Sequence, residues 1–300
     1  MNILITGDRG FVGSETRKLL EKSGHNVVGY DIMDGFDIRD KKQLENAIKN
    51  AYELKSDGSF GGKVKIDRVL HLAAIARFDE ADANPIRTHE TNVLGTMNVV
   101  DVCDELHIPL VFASTGSAYM PIKQTPPITE NYPIMGNSVY GCSKALSELY
   151  VRKHNPHIVL RYAHLYGAEK RFHGLIGGFL SRIEHDLQPI LYGGKQSNDF
   201  MYIKDVARIN KMALEASWDK WNEVYNAGTG QELSAKDAGD IICDVFGYKG
   251  GIEVKEGRTV DAERFFYDMT KAKMKLGFEP EYDFKKGLED MKKEMATKNA

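Results

Sequence analysis

The chain has 300 residues, of which 42% are apolar and 28% charged, so wholesale disorder is excluded and one large or two smaller domains are expected. Basic residues number 40 and acidic residues 43, and the formal net charge of −3 offers no basic surface for nucleic acid or for an anionic membrane. No apolar run approaches the ~18 residues that a membrane-spanning helix needs.

Short β-branched runs alternate with longer amphipathic stretches over residues 1–165. This alternation predicts βαβ units, and therefore an α/β fold with a doubly wound parallel sheet. The first helix is predicted over Phe11–Ser23, because Gly24 follows it at the position where helices commonly end. The predicted strands of the sheet are Asn2–Thr6, Asn26–Asp31, Arg68–Ala73, Leu110–Ser114 and His157–Tyr162.

The alternation loosens after Gly167, which predicts a smaller α/β lobe in the second half of the chain. Lys204–Ala216 is predicted to be a helix and Val224–Ala227 a short strand, whereas the polar, glycine-rich stretch Lys55–Lys65 is predicted to be a surface loop. We therefore expect residues 1–165 and 199–228 to form the doubly wound domain, and residues 166–198 and 229–300 to form the smaller lobe.

Three glycines at a spacing of three follow the first predicted strand and open the first helix: Gly7, Gly10 and Gly13. Glycines here let backbone N–H groups approach a pyrophosphate at the positive end of a helix, as in Rossmann-type dinucleotide-binding domains. Asp31 ends the second predicted strand, where a carboxylate accepts hydrogen bonds from an adenosine ribose and repels a 2′-phosphate. The pattern favours NAD as cofactor, although Arg9 inside the turn could partly tolerate that phosphate.

Tyr140 and Lys144 lie four residues apart in a predicted helix and so share one face. The helix follows a hydroxyl-rich strand end, Ser114–Ser117, and strand ends face the ligand crevice in a doubly wound sheet. A tyrosine with a pKa near 10 needs a nearby cation to act as a base at neutral pH, which Lys144 and a nicotinamide ring could supply. This setting distinguishes Tyr140 among the tyrosines that precede a lysine by four residues, namely Tyr119, Tyr140, Tyr166, Tyr267 and Tyr282.

Motifs spread over nearly the whole chain carry a family resemblance. They are TGDRGFVGS at Thr6, DIRD at Asp37, HLAA at His71, NVLGTMN at Asn92, STGSAY at Ser114, YGCSK at Tyr140, LRYAHLYG at Leu160, DFMYIKDVA at Asp199 and NAGTG at Asn226. Together they resemble the extended short-chain dehydrogenase/reductases, specifically the NAD-dependent epimerase/dehydratase family and its nucleotide-sugar 4-epimerases. The resemblance implies that the doubly wound domain binds NAD and that the smaller lobe binds the substrate.

The resemblance also implies roles for individual residues. Tyr140 would be the catalytic base, Lys144 would lower its pKa and bind a ribose, and Thr115 would occupy the catalytic Ser/Thr position. A homodimer is implied through the helices Asn92–Glu105 and Ser138–Lys153. The positions implied for NAD are Gly7, Arg9, Gly10, Phe11, Val12, Gly13, Asp31, Asp37, Ile38, Leu72, Ala73, Ala74, Asn92, Tyr140, Lys144 and Tyr162, and those for the substrate are Thr115, Gly116, Ser117, His164, Asn198 and Arg258.

Three positions depart from the family pattern where a nucleotide diphosphate usually binds. His164 and Gly174 stand where asparagines are usual, and Asn198 stands where an arginine is usual, whereas Arg258 keeps the pattern of a phosphate-binding arginine. The departures weaken the case for a standard UDP-sugar. Thr115–Ser117 offers hydroxyls and no carboxyl group, so elimination of water is not expected.

The function favoured by these residues is NAD-dependent epimerisation of a sugar, most simply a nucleotide-sugar, through transient oxidation to a keto intermediate. The same three catalytic residues would also serve a net sugar dehydrogenase or ketoreductase that uses NAD(P) on a substrate without the usual diphosphate contacts. A non-catalytic dinucleotide sensor ranks last, because such proteins typically lose the tyrosine or the lysine.

The remaining reactive side chains have plainer interpretations. His154 and His157 flank a proline without a cluster of other ligands, so no metal is expected there. His71 on an apolar strand is predicted to be a packed core residue, and His164 at a strand end is a candidate for substrate contact. An odd number of widely spaced cysteines predicts free thiols in a reducing compartment, hence a cytoplasmic protein: Cys103, Cys142 and Cys243.

Overall fold

The computed structural model describes residues 1–54, 60–120, 125–168, 174–257 and 264–299. Over these residues the strands are β1 (Asn2–Thr6), β2 (Asn26–Tyr30), β3 (Tyr52–Leu54), β4 (Phe60–Lys63), β5 (Arg68–His71), β6 (Leu110–Thr115), β7 (His157–Tyr162), β8 (His164–Tyr166), β9 (Ile190–Tyr192), β10 (Ser197–Asn198), β11 (Phe200–Tyr202), β12 (Glu223–Ala227), β13 (Leu233–Ser234) and β14 (Glu253–Lys255). The α-helices are α1 (Phe11–Lys22), α2 (Lys41–Lys49), α3 (Phe78–Ala83), α4 (Pro85–His89), α5 (Gly95–Leu106), α6 (Val139–Val151), α7 (Gly174–Glu184), α8 (Ile203–Glu215), α9 (Ala235–Phe246) and α10 (Phe284–Asn299).

Six strands form one parallel sheet in the order β12, β7, β6, β5, β1, β2. The chain leaves β1 for β2 on one side and then returns to β5 on the other side of β1. The connections after β1 and β5 therefore diverge, and in sheets of this kind a ligand crevice opens at that point, beyond the carboxyl ends of the strands. The predicted doubly wound α/β class is confirmed.

Helices cover both faces of this sheet, and the strand residues alternate between two hydrophobic cores. In β1, Ile3 and Ile5 pack in the core that includes α8, whereas Leu4 packs in the core that includes α2 and α5. This alternation follows from the two-residue period of a strand. Every residue of β7 is buried, as in parallel strands that are covered on both faces. Its sequence is accordingly mostly apolar, and Arg161 is its charged residue.

The rest of the chain adds short two-stranded sheets. In the second half these pair β11 with β8, β10 with β13 and β14 with β9. β11 lies parallel to β8 with Phe200 opposite His164, which places this small sheet directly after β7. The aromatic residues of the pairing and of α10 pack together through ring contacts of Tyr166, Phe200 and Phe284.

Several predicted elements end one or two residues away from the observed bounds, and three differences change what a segment does. Asp31 does not extend β2, because its side chain accepts a hydrogen bond from the Met33 N–H and caps a short helical turn. Asn92 precedes the regular part of α5 and lies in a wider helical turn, Glu90–Leu94. Phe60–Lys63 is a strand paired antiparallel with β3, not a loop, and residues 55–59 lie outside the described ones. Its two glycines hide the strand pattern, since glycine is rare in strands.

Candidate active site

The glycine turn between β1 and α1 is tightly packed. Gly7 has a φ of +75°, and a Cβ there would lie 2.8 Å from the Ala73 nitrogen. A Cβ on Gly13 would overlap the Gly7 carbonyl oxygen, so both positions require glycine. Gly10 occupies the cap position of α1, and no side chain accepts a hydrogen bond from the first N–H groups of the helix there. The first N–H groups of α1 therefore remain available for an anion at the positive end of the helix.

We expect Gly13→Ala to weaken NAD binding by at least about tenfold, because the added methyl group displaces the turn that must approach the pyrophosphate. Gly178→Ala is the matched control, since a Cβ there meets no atom within 4 Å. Titration of each variant with NADH, followed by fluorescence, measures the effect. Equal affinities for the two variants would contradict the assigned role of the turn.

Asp31 and the turn that follows it are the residues predicted to meet the adenosine of the dinucleotide. The Asp31 carboxylate is buried and accepts hydrogen bonds from the N–H groups of Arg9 and Met33, at 3.1 and 2.9 Å. Asp37 pairs its carboxylate with Arg39 at 2.6 Å, and this guanidinium lowers the pKa of the carboxyl group. Ile38 is buried and so close to α5 that a Cβ at Gly95 would lie 2.7 Å from it.

His71, below the dinucleotide crevice, is the packed core residue that its apolar strand predicts. Its Nδ1 lies 2.6 Å from the Thr6 hydroxyl and its Nε2 lies 2.9 Å from the Thr96 hydroxyl. The Thr96 hydroxyl donates to the Asn92 carbonyl, and the Thr6 oxygen accepts from the Ala73 N–H. One consistent assignment is a neutral ring that donates from Nε2 and accepts at Nδ1. This chain of bonds joins β1, β5 and α5 under the site.

Burial lowers the pKa of His71 to about 3, so the folded state holds the ring neutral well below its ordinary pKa of 6.5. The unfolded chain binds a proton there first, and stability is therefore lost as the pH falls below 6.5. The expected loss attributable to His71 between about pH 8 and about pH 5 is roughly 2 kcal/mol. Denaturant unfolding of wild type and His71→Gln measures it, with the exposed His185→Gln as control. The pH dependence should flatten only in His71→Gln, and an unchanged slope would contradict a neutral buried ring.

Tyr140, Thr115 and Lys144 come together at the carboxyl end of β6. The Tyr140 side chain is hydrogen bonded to Thr115, while burial raises its pKa to about 12. Lys144 is buried, with its Nζ 4.1 Å from the centre of the Phe112 ring, and burial lowers its pKa to about 7 despite the nearby Glu148. Both shifts have the same cause, since a low-dielectric site disfavours either charged form.

Local sequence explains how α6 presents these groups. The Ser138 hydroxyl accepts the Gly141 N–H at 3.0 Å and caps the helix one residue before it begins. Gly141 lies so close to the Ser117 carbonyl oxygen that a Cβ there would overlap it. The close approach brings the helix start against the Thr115–Ser117 segment, and therefore Tyr140 beside Thr115.

Two buried networks hold α6 from the other side. The Asn92 side chain exchanges hydrogen bonds with the backbone of Ile75 and donates to the Ser143 hydroxyl at 2.9 Å. Glu148, one turn beyond Lys144, accepts two hydrogen bonds from Arg161 at 3.0 and 2.5 Å. Helix α6 is thus fixed to the loop after β5 and to the interior of β7.

The remaining predicted NAD positions lie along the same edge. Leu72, Ala73 and Ala74 follow β5 directly, with Ala73 against the glycine turn. Tyr162 is buried at the end of β7, and its hydroxyl donates to Asn210 at 2.5 Å. Phe11 and Val12 begin α1.

The predicted substrate positions are brought together in part. His164 is exposed beyond the end of β7, yet the protein around its ring lowers its pKa and favours the neutral imidazole. Asn198 is half-buried in β10, and Gly174, with a φ of +74°, begins α7. Thr115 is the last residue of β6 and caps the short turn that contains Gly116 and Ser117, and Arg258 lies outside the described residues.

Sequence reasoning missed Phe265, which lies against this turn. A Cβ on Gly116 would be 2.5 Å from its ring, and the ring centre is 6.0 Å from that of His164. Phe78, on α3, makes an edge contact with Tyr140 at 5.4 Å between ring centres. Neither phenylalanine lies in a recognisable motif, and only the fold places them beside the site.

The family follows from comparison with known proteins. Residues 3–228 match the NAD dependent epimerase/dehydratase family, and the chain belongs to it. The chain is therefore an NAD-dependent enzyme of this family, and NAD is its cofactor, as the sequence predicts. The uncapped N–H groups at the start of α1, the crowded glycines and the carboxylate of Asp31 fit that dinucleotide.

Individual relatives match from end to end. A Methanocaldococcus jannaschii protein described as a candidate UDP-glucose 4-epimerase is 33% identical over 99% of both chains. The Thermodesulfobacterium geofontis UDP-glucuronate 4-epimerase is 30% identical over 95% of this chain and 93% of its own. The crystal structure of the Thermotoga maritima UDP-glucose 4-epimerase with UDP-glucose superposes on this chain with a TM-score of 0.85. The two sequences are 27% identical, and the match covers 100% of this chain and 99% of the Thermotoga maritima chain.

Over the described residues, no helix has the length and apolar character to cross a membrane. The three cysteines are free thiols, as their spacing predicts. Protein groups occupy both histidine rings. His154 Nδ1 lies 2.5 Å from the Asp104 carboxylate, and His157 Nδ1 lies 2.6 Å from the His154 carbonyl oxygen.

Proposed function

We propose that the protein is a nucleotide-sugar 4-epimerase. The observation that carries the proposal is the grouping of Thr115, Tyr140 and Lys144 at the carboxyl end of β6, beside an intact dinucleotide turn. The names of relatives support the same reaction at the same carbon, although they differ in the hexose.

Tyr140 would accept the proton of the sugar 4-hydroxyl, and Thr115, together with Ser117, would hold the oxygen in place. Bound NAD would supply oxidising power by taking up the C4 hydride and returning it, and its cationic ring would favour the phenolate. The keto sugar would turn in the site before reduction on its other face, and Tyr140 would give the proton back. No net oxidation results.

The Tyr140 phenol must lose its proton to work as a base, and burial alone opposes this by raising its pKa to about 12. Bringing that pKa down to about 7 requires close to 7 kcal/mol of preferential stabilisation of the phenolate. The Thr115 hydrogen bond already acts in this direction. In its protonated form, the Lys144 side chain on the same helix face would stabilise the phenolate further.

A net dehydrogenase or ketoreductase is the second candidate, and the composition of the substrate side favours it. His164, Gly174 and Asn198 replace side chains that the family uses around a diphosphate. A smaller substrate would not need those contacts, whereas the same Tyr140 and Lys144 would serve it.

Turnover of a panel of nucleotide-sugars separates the two candidates. The panel contains UDP-glucose, UDP-galactose, UDP-N-acetylglucosamine and UDP-glucuronate, with NAD below the enzyme concentration. Proton NMR follows the sugar and absorbance at 340 nm follows reduced cofactor. An epimerase converts one member into its C4 isomer without lasting absorbance. Lasting absorbance that requires excess NAD, with no isomer formed, would overturn the epimerase in favour of the dehydrogenase.

The helices α4 to α6 support a further part of the proposal, a homodimer. Ile86 on α4 is 76% exposed, Leu94 is exposed in the turn between α4 and α5, and Leu146 and Leu149 are exposed on α6. Clusters of exposed apolar side chains are typical of association surfaces. Light scattering after size exclusion should give twice the chain mass, and Leu149→Glu should give the monomer. We also propose a cytoplasmic location, because free cysteines suit a reducing compartment.

A further inference from the structure

The arginine inside the glycine turn is held by a carboxylate that no motif predicts. Arg9 Nε lies 2.8 Å from Asp34 Oδ2, and its Nη2 lies 2.6 Å from Asp34 Oδ1. The two parallel bonds match the planar fork of a guanidinium to a carboxylate. The Arg9 N–H at the same time donates to Asp31, so the turn after β2 holds this residue by backbone and side chain together.

The charges around the adenosine end can be followed pair by pair. Arg17 binds the buried Asp8 at 2.7 Å, and Arg9 binds Asp34. Asp31 receives two backbone N–H groups and no side-chain cation among the described contacts. Arg17 also pairs with Glu21 at 2.8 Å, so each of these two arginines already has an acidic partner.

We propose that Asp34 is a specificity-determining residue for the dinucleotide, because it keeps Arg9 from binding a 2′-phosphate. A guanidinium in this turn would otherwise offer a bidentate site for that phosphate, next to the ribose that Asp31 binds. Asp34 occupies the fork and adds a second negative charge beside Asp31. Preference for NAD thus rests on two carboxylates, one facing the ribose and one restraining the arginine.

The fold does not depend on this ion pair. Arg9 and Asp34 are 58% and 37% exposed, and pairs of this exposure add little to stability. Asp34 also makes no side-chain cap to the short turn it ends, which Asp31 caps instead. Removal of the Asp34 carboxylate should therefore change ligand preference without unfolding the protein.

Titration of the full chain with NADH and with NADPH, followed by nicotinamide fluorescence, tests the proposal. We expect Asp34→Ala to lower the Kd for NADPH by about tenfold or more and to change the Kd for NADH by less than about threefold. Arg9→Met in the Asp34→Ala background should remove the gain, because the freed guanidinium is its source. Asp240→Ala is the control, since it removes another exposed ion pair, with Lys236, on α9 rather than in the turn.

Two results would overturn the proposal. One is an unchanged ratio of the two Kd values in Asp34→Ala. The other is a gain in NADPH affinity that survives when Arg9 is also replaced, which would make Asp34 a source of repulsion alone. Because the readout is cofactor binding, neither result depends on which sugar the enzyme accepts.

Discussion

Tyr140→Phe should lower the turnover number by about 10²–10⁴-fold, because the variant has no phenolic oxygen to carry the proton. The benzyl ring keeps its edge contact with Phe78, and the packing of α6 is unchanged. We therefore expect NADH to bind with nearly the wild-type Kd. Single-turnover kinetics with the preferred nucleotide-sugar measure the chemical step directly.

The control for this prediction is Tyr52→Phe, which removes a phenolic oxygen from a half-exposed residue of β3. It should turn over at the wild-type rate. A wild-type rate in Tyr140→Phe as well would remove this residue from the mechanism. A fall in rate together with a large loss of NADH affinity would instead assign Tyr140 to cofactor binding.

Arg161→Met should lower the free energy of unfolding by about 3–5 kcal/mol, because it leaves the Glu148 carboxylate buried without its cation. Both side chains are almost inaccessible, at 2% and 0% exposure. The Ser114 hydroxyl would remain as a donor to Glu148, and Arg152 would remain 3.9 Å away, but that guanidinium is half-exposed and too distant to replace the paired one. Urea unfolding followed by circular dichroism measures the loss.

The double variant Arg161→Met/Glu148→Leu should recover a large part of that stability, since both charges are then gone. Arg77→Met, which breaks an exposed pair with Asp79, should leave the unfolding midpoint nearly unchanged. If the buried and the exposed substitutions had equal effects, the buried pair would not be the link between β7 and the catalytic helix.

Local rules were sufficient where one segment determines its own structure. The requirement for glycine at Gly13, the cap by Ser138 and the helix end near Gly24 all depend on neighbours within a few residues. The central strands were also predictable, because a parallel sheet covered on both faces requires continuous apolar runs. Asp31 was predicted as the last residue of β2 but lies one position beyond it, because an aspartate is compatible with both the end of a strand and the cap of a turn.

Contacts between distant segments could not be predicted in this way. Phe265 reaches the turn at Gly116 from the far end of the chain, and Gly141 is needed only because Ser117 passes beside it. The partner of Arg9 illustrates the same limit, because the sequence shows a cation in the turn but not the carboxylate that binds it. Such pairs are created by the fold and have no signature within either segment.

The fate of the hydrogen at C4 tests the central claim most directly. The nucleotide-sugar that the panel identifies would be prepared with deuterium at C4 and incubated with the enzyme in ordinary water. Mass spectrometry and proton NMR would then locate the label at equilibrium. The proposed reaction retains deuterium at C4 of both epimers, because the hydrogen leaves and returns within one site. Epimerisation with loss of the label to solvent would contradict transient oxidation at C4.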